Sequence, residues 1–366
     1  MFLDTRSLMQ QVVLLGALIS QHAYADDVNI VGSVEQTFKI LVPGTSVKSG
    51  TTAPQFKNKT IELLQIELSP EAQQHLTEQA NLLSNPRPGI KTSVSTAYSA
   101  LPKKANVGMN NVPVLNQGRH GTCVTFAVTG ALDASLGRGD YISQLCNLEL
   151  GNYLELHSYA ISGWNGSSAN AVINQITQYG VMSKPMQFAV GCGGLRQYPV
   201  SEAQNPKRFI EPTIFANLSE FVFGKQVNWT DVYKSNDGEG NLNAVKTALS
   251  SGDRLVFGVL FPRKDLGTVG ATGKYKTWFV KDTWLLTSEI LDDAKKGGIK
   301  TGHEMIITGY DDDAVVYDSN GNKHKGLLTL RNSWGTSTGN DGEFYMTYEY
   351  FKLLAIDVTR FSKGSN

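Results

Sequence analysis

The sequence lacks an excess of charge of either sign, since its 33 lysines and arginines balance its 33 aspartates and glutamates. Binding to nucleic acid or to an anionic membrane through the overall field of a protein needs a basic surplus. We therefore expect no nucleic-acid partner. With 366 residues, of which 41% are hydrophobic and 18% charged, the chain can bury a sizeable core as one large domain or two modest ones.

Long apolar runs are missing after residue 25. The first 25 residues contain one short apolar stretch, Val12 to Ile19, which follows Arg6 and precedes Ala23-Tyr24-Ala25. This three-part layout is typical of a secretory signal peptide. The alternatives are a short membrane anchor or a buried helix, but a bilayer span needs roughly 20 apolar residues. We predict a signal peptide over residues 1–25, cleavage after Ala25, secretion to an extracellular or periplasmic space, and no membrane span in the mature chain.

Cysteine is also scarce, with only Cys123, Cys146 and Cys192 in the whole chain. In an exported protein, an odd number of cysteines indicates one disulfide and one free thiol. Three pairings are possible, and the sequence by itself does not choose between them.

Two segments imitate ligand-binding motifs without completing them. Gly267 to Lys274 is glycine-rich but lacks the spacing and the Ser or Thr of a phosphate loop. Asp311 to Asp313 and Asp318 to Asn322 have the composition of calcium ligands, but Lys323 stands where a calcium loop requires glycine. We interpret the first as a loop and the acidic segments as hairpin turns, and we expect no metal and no cofactor.

Residues 26–105 are predicted to form a small N-terminal unit. Val28 to Val42 and Thr60 to Leu68 alternate polar and apolar residues as strands do, and together they predict a hairpin. Ser69 and Pro70 then provide an N-cap and a first helical residue for a helix that runs to about Leu83. From there to Met109 the composition favours an extended linker.

The second unit, residues 106–366, has the pattern of mixed helices and strands. Three segments have helical character: Cys123–Leu136, Ala169–Tyr179 and Asn243–Ser250. Four later segments have strand character: Arg254–Leu260, Met305–Gly309, Gly326–Arg331 and Gly342–Tyr348. Because the helices come first and most strands later, we predict an α+β fold in which a helical lobe packs on a sheet lobe.

Three residues have the chemistry of a covalent catalyst. Cys123 opens a predicted helix, where the positive end of the helix dipole favours a thiolate, although a free cysteine is often only a small buried hydrophobe. His303 stands at the head of an apolar strand and could equally be a core histidine. Asn332 ends another strand and could be an ordinary turn former. Together they predict a nucleophile, a base and an amide that orients the base.

The segments around these three residues resemble papain-like cysteine peptidases. The resemblance spans roughly residues 110–351 and is carried by PVLNQG followed by GTC (113–123), GHEMIITGY (302–310), and NSWG with NDGEFY (332–345). It implies a two-lobe α+β fold with a helical lobe and an antiparallel sheet or barrel lobe. It also implies peptide-bond hydrolysis without a cofactor by a monomer acting on proteins or peptides.

The resemblance assigns a role to each matched residue. Cys123 would be the nucleophile, His303 its proton acceptor and donor, and Asn332 the residue that orients His303. The side-chain amide of Gln117 and the backbone N–H of Cys123 would stabilise the oxyanion. Trp334 would shield the contact between the asparagine and the histidine. The substrate-binding candidates are Trp334, Gly121, Asn165, Gly166 and Ser167, although the last three could also form a plain surface turn.

The sequence departs from the family pattern in several places. His120 and Trp164 stand where many relatives have a disulfide, so Cys146 and Cys192 become the natural pair. Val124 replaces a common tryptophan after the nucleophile. The spacing between Cys123 and His303 is 303 − 123 = 180 residues, longer than the roughly 130 to 150 residues typical of the family. We expect the extra chain to form loops near residues 225–241 and 263–302.

The N-terminal unit occupies the position of an inhibitory propeptide. We predict that it is a pro-domain that blocks the cleft until the linker is cleaved; the alternative is an accessory binding module that stays attached. Two alternatives to peptide hydrolysis also remain. The same residues could transfer an acyl group to an amine, as a transglutaminase-like enzyme does, or the chain could be a catalytically silent binding protein.

Overall fold

The computed structural model describes residues 27–41, 55–84, 101–202, 208–262, 282–318 and 320–364. The predicted signal peptide, most of the predicted linker and the glycine-rich segment at 267–274 lie outside these residues. No helix within the described part of the chain is long and apolar enough to cross a membrane.

The N-terminal unit is an antiparallel hairpin followed by a helix. Strands β1 (Val28–Leu41) and β2 (Phe56–Leu68) pair along their length, and helix α1 (Pro70–Ser84) follows directly. The hydroxyl of Ser69 accepts a hydrogen bond of 3.0 Å from the N–H of Ala72, as an N-cap does. The predicted hairpin and helix are therefore confirmed.

The chain then forms the short strand β3 and a helical region. The elements in order are β3 (Lys104–Asn106), α2 (Cys123–Leu136), α3 (Gln144–Leu156), α4 (Ala169–Tyr179), α5 (Lys184–Val190) and α6 (Pro212–Leu218). Helices α2 and α4 match the predicted bounds. Helix α3 escaped prediction because it is buried on most sides, so its sequence has no clear apolar stripe.

The remaining elements build the sheet and its flanking helices. They are β4 (Val227–Asp231), α7 (Gly238–Ser250), β5 (Arg254–Phe261), β6 (Thr283–Trp284), α8 (Ser288–Lys295), β7 (Thr301–Tyr317), β8 (Lys323–Arg331), β9 (Glu343–Thr347), α9 (Tyr348–Leu354) and β10 (Ala355–Lys363). The strand order is β4-β10-β5-β7-β8-β9-β6, and all neighbours are antiparallel except β6 and β9. The predicted α+β class is confirmed.

Two loop predictions are wrong. Residues 225–241 contain β4 and the start of α7, and the described part of 263–302 contains β6 and α8. Helix α8 packs against α1, where the side-chain amide of Gln73 donates a 2.9 Å hydrogen bond to the carbonyl of Ala294. The extra chain between Cys123 and His303 thus includes structured elements, one of which supports the N-terminal unit.

The acidic segments take two different conformations. Asp318 forms the predicted hairpin turn, since its Oδ1 accepts hydrogen bonds from the N–H groups of Asn320 and Asn322. Asp311 to Asp313 is not a hairpin turn but a bulge within β7, where Oδ1 of Asp311 accepts from the N–H groups of Asp313 and Ala314. Across the described residues, no group of three or more His, Cys, Asp or Glu side chains could hold a metal ion.

The hairpin shares its hydrophobic core with the second unit. Ile61, Leu63, Leu64 and Ile66 of β2 are at most 1% exposed and pack in the same cluster as α2 and the sheet strands β5 and β7. A second cluster surrounds the disulfide between Cys146 of α3 and Cys192, whose Cα atoms are 5.1 Å apart. Cys123 is the free cysteine.

Candidate active site

The sheet brings the predicted base and its orienting amide together. His303 lies near the start of β7, and Asn332 directly follows β8, its antiparallel neighbour. The imidazole Nε2 lies 2.8 Å from Oδ1 of Asn332. Because an amide oxygen only accepts, Nε2 must carry the proton. The other ring nitrogen, Nδ1, is buried and has no hydrogen-bond partner among the described residues, so in a neutral ring it is the free proton acceptor.

Aromatic rings enclose this histidine–asparagine contact. The Trp334 ring lies 4.6 Å from the imidazole, and Phe261 lies 5.8 Å from it on another side. The backbone N–H of Ser333 also donates a 2.7 Å hydrogen bond to Oδ1 of Asn332. The contact is therefore shielded from water, which strengthens a hydrogen bond.

Cys123 and Gln117 lie at the helical side of the site. Cys123 is the first residue of α2, as predicted. Oε1 of Gln117 accepts a 2.8 Å hydrogen bond from the hydroxyl of Ser333, the residue next to Asn332. The amide nitrogen of Gln117 donates to the carbonyl of His120 at 2.8 Å and, more weakly, to the carbonyl of Glu62 at 3.4 Å. Gln117 thus connects the helical side of the site to the sheet side.

The N-terminal hairpin covers this site. Leu64 of β2 pairs with Gly302, next to His303, and the Phe38 ring of β1 lies 5.7 Å from the Trp334 ring. Glu35 forms an ion pair with Arg119, close to Gln117 in the chain. In this arrangement Cys123 and His303 are both 0% exposed.

The predicted substrate-binding residues divide into two groups. Gly121 forms a β-bridge with Asn165, and both Gly121 and Gly166 press against the hairpin. A Cβ atom at Gly121 would lie 2.7 Å from Cβ of Ser33, and one at Gly166 would lie 2.9 Å from the carbonyl oxygen of Gly32. Asn165 is exposed, whereas Ser167 is buried and its hydroxyl contacts the carbonyl of Ser168.

Burial keeps both reactive groups neutral in the covered site. Loss of hydration raises the pKa of Cys123 to about 12, although backbone hydrogen bonding near Glu304 opposes the shift. Loss of hydration also lowers the pKa of His303 to about 4, against the opposing hydrogen bond to Asn332. The thiolate expected from the helix terminus is therefore suppressed in the full chain, because burial outweighs the helix dipole.

A buried pair of carboxyl groups, which the sequence did not predict, lies next to His303. Glu304 of β7 and Asp357 of β10 both lie beside Gly258 of β5, where a Cβ atom would be 3.0 Å from Oε2 of Glu304 and 2.4 Å from Oδ2 of Asp357. Burial and the charge of Asp357 raise the pKa of Glu304 well above its usual value, and burial raises the pKa of Asp357 to about 6. In the sequence, the sign of this pair is Glu304, an acidic residue within an apolar strand segment.

Comparisons with known proteins give distant similarities only. No family model matches the sequence, and no curated protein matches it. Xylellain, a cysteine protease from Xylella fastidiosa, is 20% identical, with coverage of 73% of this chain and 88% of that chain and a TM-score of 0.44. Digestive procathepsin L 3 from the larval midgut of Tenebrio molitor is 18% identical, with coverage of 80% and 79% and a TM-score of 0.44.

A third solved structure has a bound inhibitor. The bromelain protease from Ananas comosus, in complex with the E64 inhibitor, is 16% identical, with coverage of 73% of this chain and 100% of that chain and a TM-score of 0.44. Similarities this distant do not assign a function to the chain, which must be inferred from the site itself.

The Asp357→Asn variant should have a flatter dependence of stability on pH than the wild type. The folded wild type holds a proton on Asp357 up to about pH 6, whereas an unfolded aspartate releases it near pH 4. Asp357 should therefore contribute a fall of about 1 to 3 kcal/mol in the free energy of unfolding as the pH rises from about 4 to about 6. Asparagine cannot release a proton, so this decline should be smaller in the variant.

Urea unfolding at pH 4, 5, 6 and 7 measures the effect. Asp292→Asn is the matched control, because Asp292 is exposed and the ion pair with Lys295 lowers its pKa. An Asp357→Asn variant whose free energy of unfolding changes with pH between pH 4 and pH 6 in the same way as that of the wild type would contradict the account.

Proposed function

We propose that this protein is an exported cysteine peptidase of the papain-like family, made as a precursor whose N-terminal hairpin blocks its own active site. The observation that carries the proposal is the hydrogen bond from His303 to Asn332, which leaves Nδ1 of the histidine bare, one residue before Glu304, whose backbone the Cys123 thiol contacts. The three segments that resemble the family supply these residues in the required order. The disulfide between Cys146 and Cys192 is consistent with export to an oxidising compartment.

In the proposed reaction, Nδ1 of His303 takes the thiol proton of Cys123, and the thiolate attacks the carbonyl carbon of a peptide bond. The oxyanion that forms accepts hydrogen bonds from the side-chain amide of Gln117 and the N–H of Cys123. When the carbon–nitrogen bond breaks, His303 returns the proton to the leaving amine. Water then attacks the thioester, with His303 as base, and releases the carboxylic acid and the free thiol.

The hairpin is proposed as the inhibitor because it lies where a substrate would have to lie. It occupies the space beside Gly121 and Gly166, pairs with the strand that carries His303, and directs the carbonyl of Glu62 toward the amide of Gln117. It also removes water from Cys123 and His303, which disfavours the charged thiolate–imidazolium pair. Cleavage in the linker between Pro86 and Met109, followed by release of the hairpin, would open the cleft.

A thiol-directed epoxysuccinate inhibitor should form a covalent adduct on Cys123 of the processed protein. The epoxide needs an activated thiolate and an open cleft, and both are proposed here. Mass spectrometry of digested protein locates the adduct, and Cys123→Ala is the control that should remain unlabelled. Processed protein that forms no adduct and turns over no peptide would refute the proposal. Transfer of acyl groups to an added amine in preference to water would instead assign an acyltransferase.

Iodoacetamide should alkylate Cys123 at least about a hundredfold faster in the processed protein than in the full-length precursor at pH 8. A thiol with a pKa of about 12 is thiolate in only about 1 molecule in 10⁴ at that pH, and only the thiolate reacts. The rate is measured by quenched-time mass spectrometry, and Cys123→Ser corrects for labelling elsewhere. Equal rates before and after processing would show that the hairpin does not suppress the nucleophile.

A further inference from the structure

A segment outside the predicted site holds the loop that carries Gln117. This segment, residues Leu195–Val200, is called the strap here. It begins beside the disulfide, because Cys192 and Leu195 exchange two backbone hydrogen bonds of 2.7 and 2.9 Å. Since Cys192 is bonded to Cys146 of α3, the strap starts from a fixed point in the helical lobe.

The strap fits closely against the turn that follows Gln117. Gly118 has a φ of +62°, and a Cβ atom there would lie 2.1 Å from the carbonyl oxygen of Val200. The Nε2 atom of His120 lies 2.8 Å from the carbonyl oxygen of Pro199. Only glycine suits position 118, because it combines a left-handed backbone with this close approach.

The hydroxyl of Tyr198 contacts both ends of the loop that runs from Gln117 to Thr122. It donates a 2.8 Å hydrogen bond to the carbonyl of Gln117 and lies 2.9 Å from the hydroxyl of Thr122. Because the phenol has one proton, which it gives to Gln117, the Thr122 hydroxyl must be the donor in the second bond. Thr122 is the N-cap residue of α2, yet its side chain makes no capping hydrogen bond. Its hydroxyl is turned toward Tyr198 instead of toward the first turn of the helix.

We propose that Tyr198 is a positioning residue for the two oxyanion donors. Gln117 supplies one donor through its side chain, and Cys123, the neighbour of Thr122, supplies the other through its N–H. By bonding at once to the backbone carbonyl of Gln117 and to the hydroxyl of Thr122, Tyr198 holds the two ends of the loop from which these donors project. Both donors must lie at hydrogen-bond distance from the oxyanion. This inference rests on the proposed function.

The Tyr198 ring also packs against other aromatic side chains. It stacks on Trp164 with centroids 5.6 Å apart and an interplanar angle of 5°, and it contacts Phe126 edge-on at 4.9 Å. His120 in turn contacts Trp164 edge-on at 5.1 Å. His120 and Trp164 stand where the family resemblance expects a disulfide, so aromatic packing joins the two segments without a covalent bond.

The Tyr198→Phe variant separates the two tasks, because it keeps the ring contacts and removes the hydroxyl. Processed from the full-length chain, it should lose about 10- to 100-fold in kcat for a peptide substrate, with KM within about twofold of the wild type. Tyr348→Phe is the matched control, since it removes a hydroxyl that donates to Oδ1 of Asp312, nine residues along β7 from His303, and its kcat should be unchanged. An unchanged kcat in Tyr198→Phe, or a loss that only accompanies a lowered unfolding midpoint, would overturn the proposal.

A partner variant tests whether the hydroxyl chain acts as a unit. Thr122→Val removes the donor to Tyr198 and should lower kcat in the same way, while Thr122→Ser should restore it. The kcat of the double variant Thr122→Val with Tyr198→Phe should lie within about twofold of the kcat of the slower single variant, because both substitutions break the same chain of hydrogen bonds. Fully multiplicative losses would overturn the link between Thr122 and Tyr198.

Amide hydrogen exchange of the full-length chain decides the positioning role without any enzyme activity. In Tyr198→Phe, the amides of residues 117–123 should exchange at least about threefold faster than in the wild type, with no change in α4. Faster exchange together with a processed wild type, freed of its hairpin, that cleaves no peptide would reject the proposed peptidase function and keep the positioning role. Unchanged exchange in residues 117–123 would overturn the positioning role itself.

Discussion

The hydrogen bond between His303 and Asn332 is the interaction on which the site depends. It can form only because β7 and β8 are antiparallel neighbours and because the rings of Trp334 and Phe261 keep water away. It fixes the proton on Nε2 and leaves Nδ1 bare. The helical side of the site is then held to this fixed point by the contact between Gln117 and Ser333, so the proposed base and the proposed oxyanion donor belong to one connected network.

The N-terminal hairpin covers this network, and we propose that it thereby keeps the site inactive. Because β2 shares the core with α2 and the sheet, and α1 packs on α8, release of the hairpin must expose buried apolar surface on both sides. Cutting the linker alone therefore need not separate the parts, since the buried strand remains in contact until it is displaced or degraded. If the hairpin is the inhibitor that we propose, activation and stability are coupled, because the contacts that bury Cys123 also stabilise the full-length chain.

Much of this arrangement could be predicted from the sequence, and the misses have physical causes. The α+β class, the bounds of α2 and α4, and the hairpin–helix order followed from apolar periodicity and capping residues such as Ser69. Helix α3 could not be predicted in this way, because it is buried on most sides and its sequence has no apolar stripe. The bulge at Asp311 could not be predicted either, because an irregular strand interrupts the alternation of polar and apolar residues. The raised pKa of Cys123 could not be foreseen either, since it arises from burial in a core that is assembled from elements far apart in the sequence. Tyr198 belongs to no motif and gains its position only through the fold.

The rate of peptide hydrolysis before and after removal of residues 26–84 tests the central claim most directly. Full-length protein, the same protein cleaved in the linker and freed of its hairpin, and the Cys123→Ser variant of each would be assayed on one peptide substrate at one pH. The account predicts turnover only by the freed wild-type protein, with renewed inhibition when the released hairpin unit is added back. Equal turnover by the full-length and freed proteins, or turnover that survives Cys123→Ser, would contradict it.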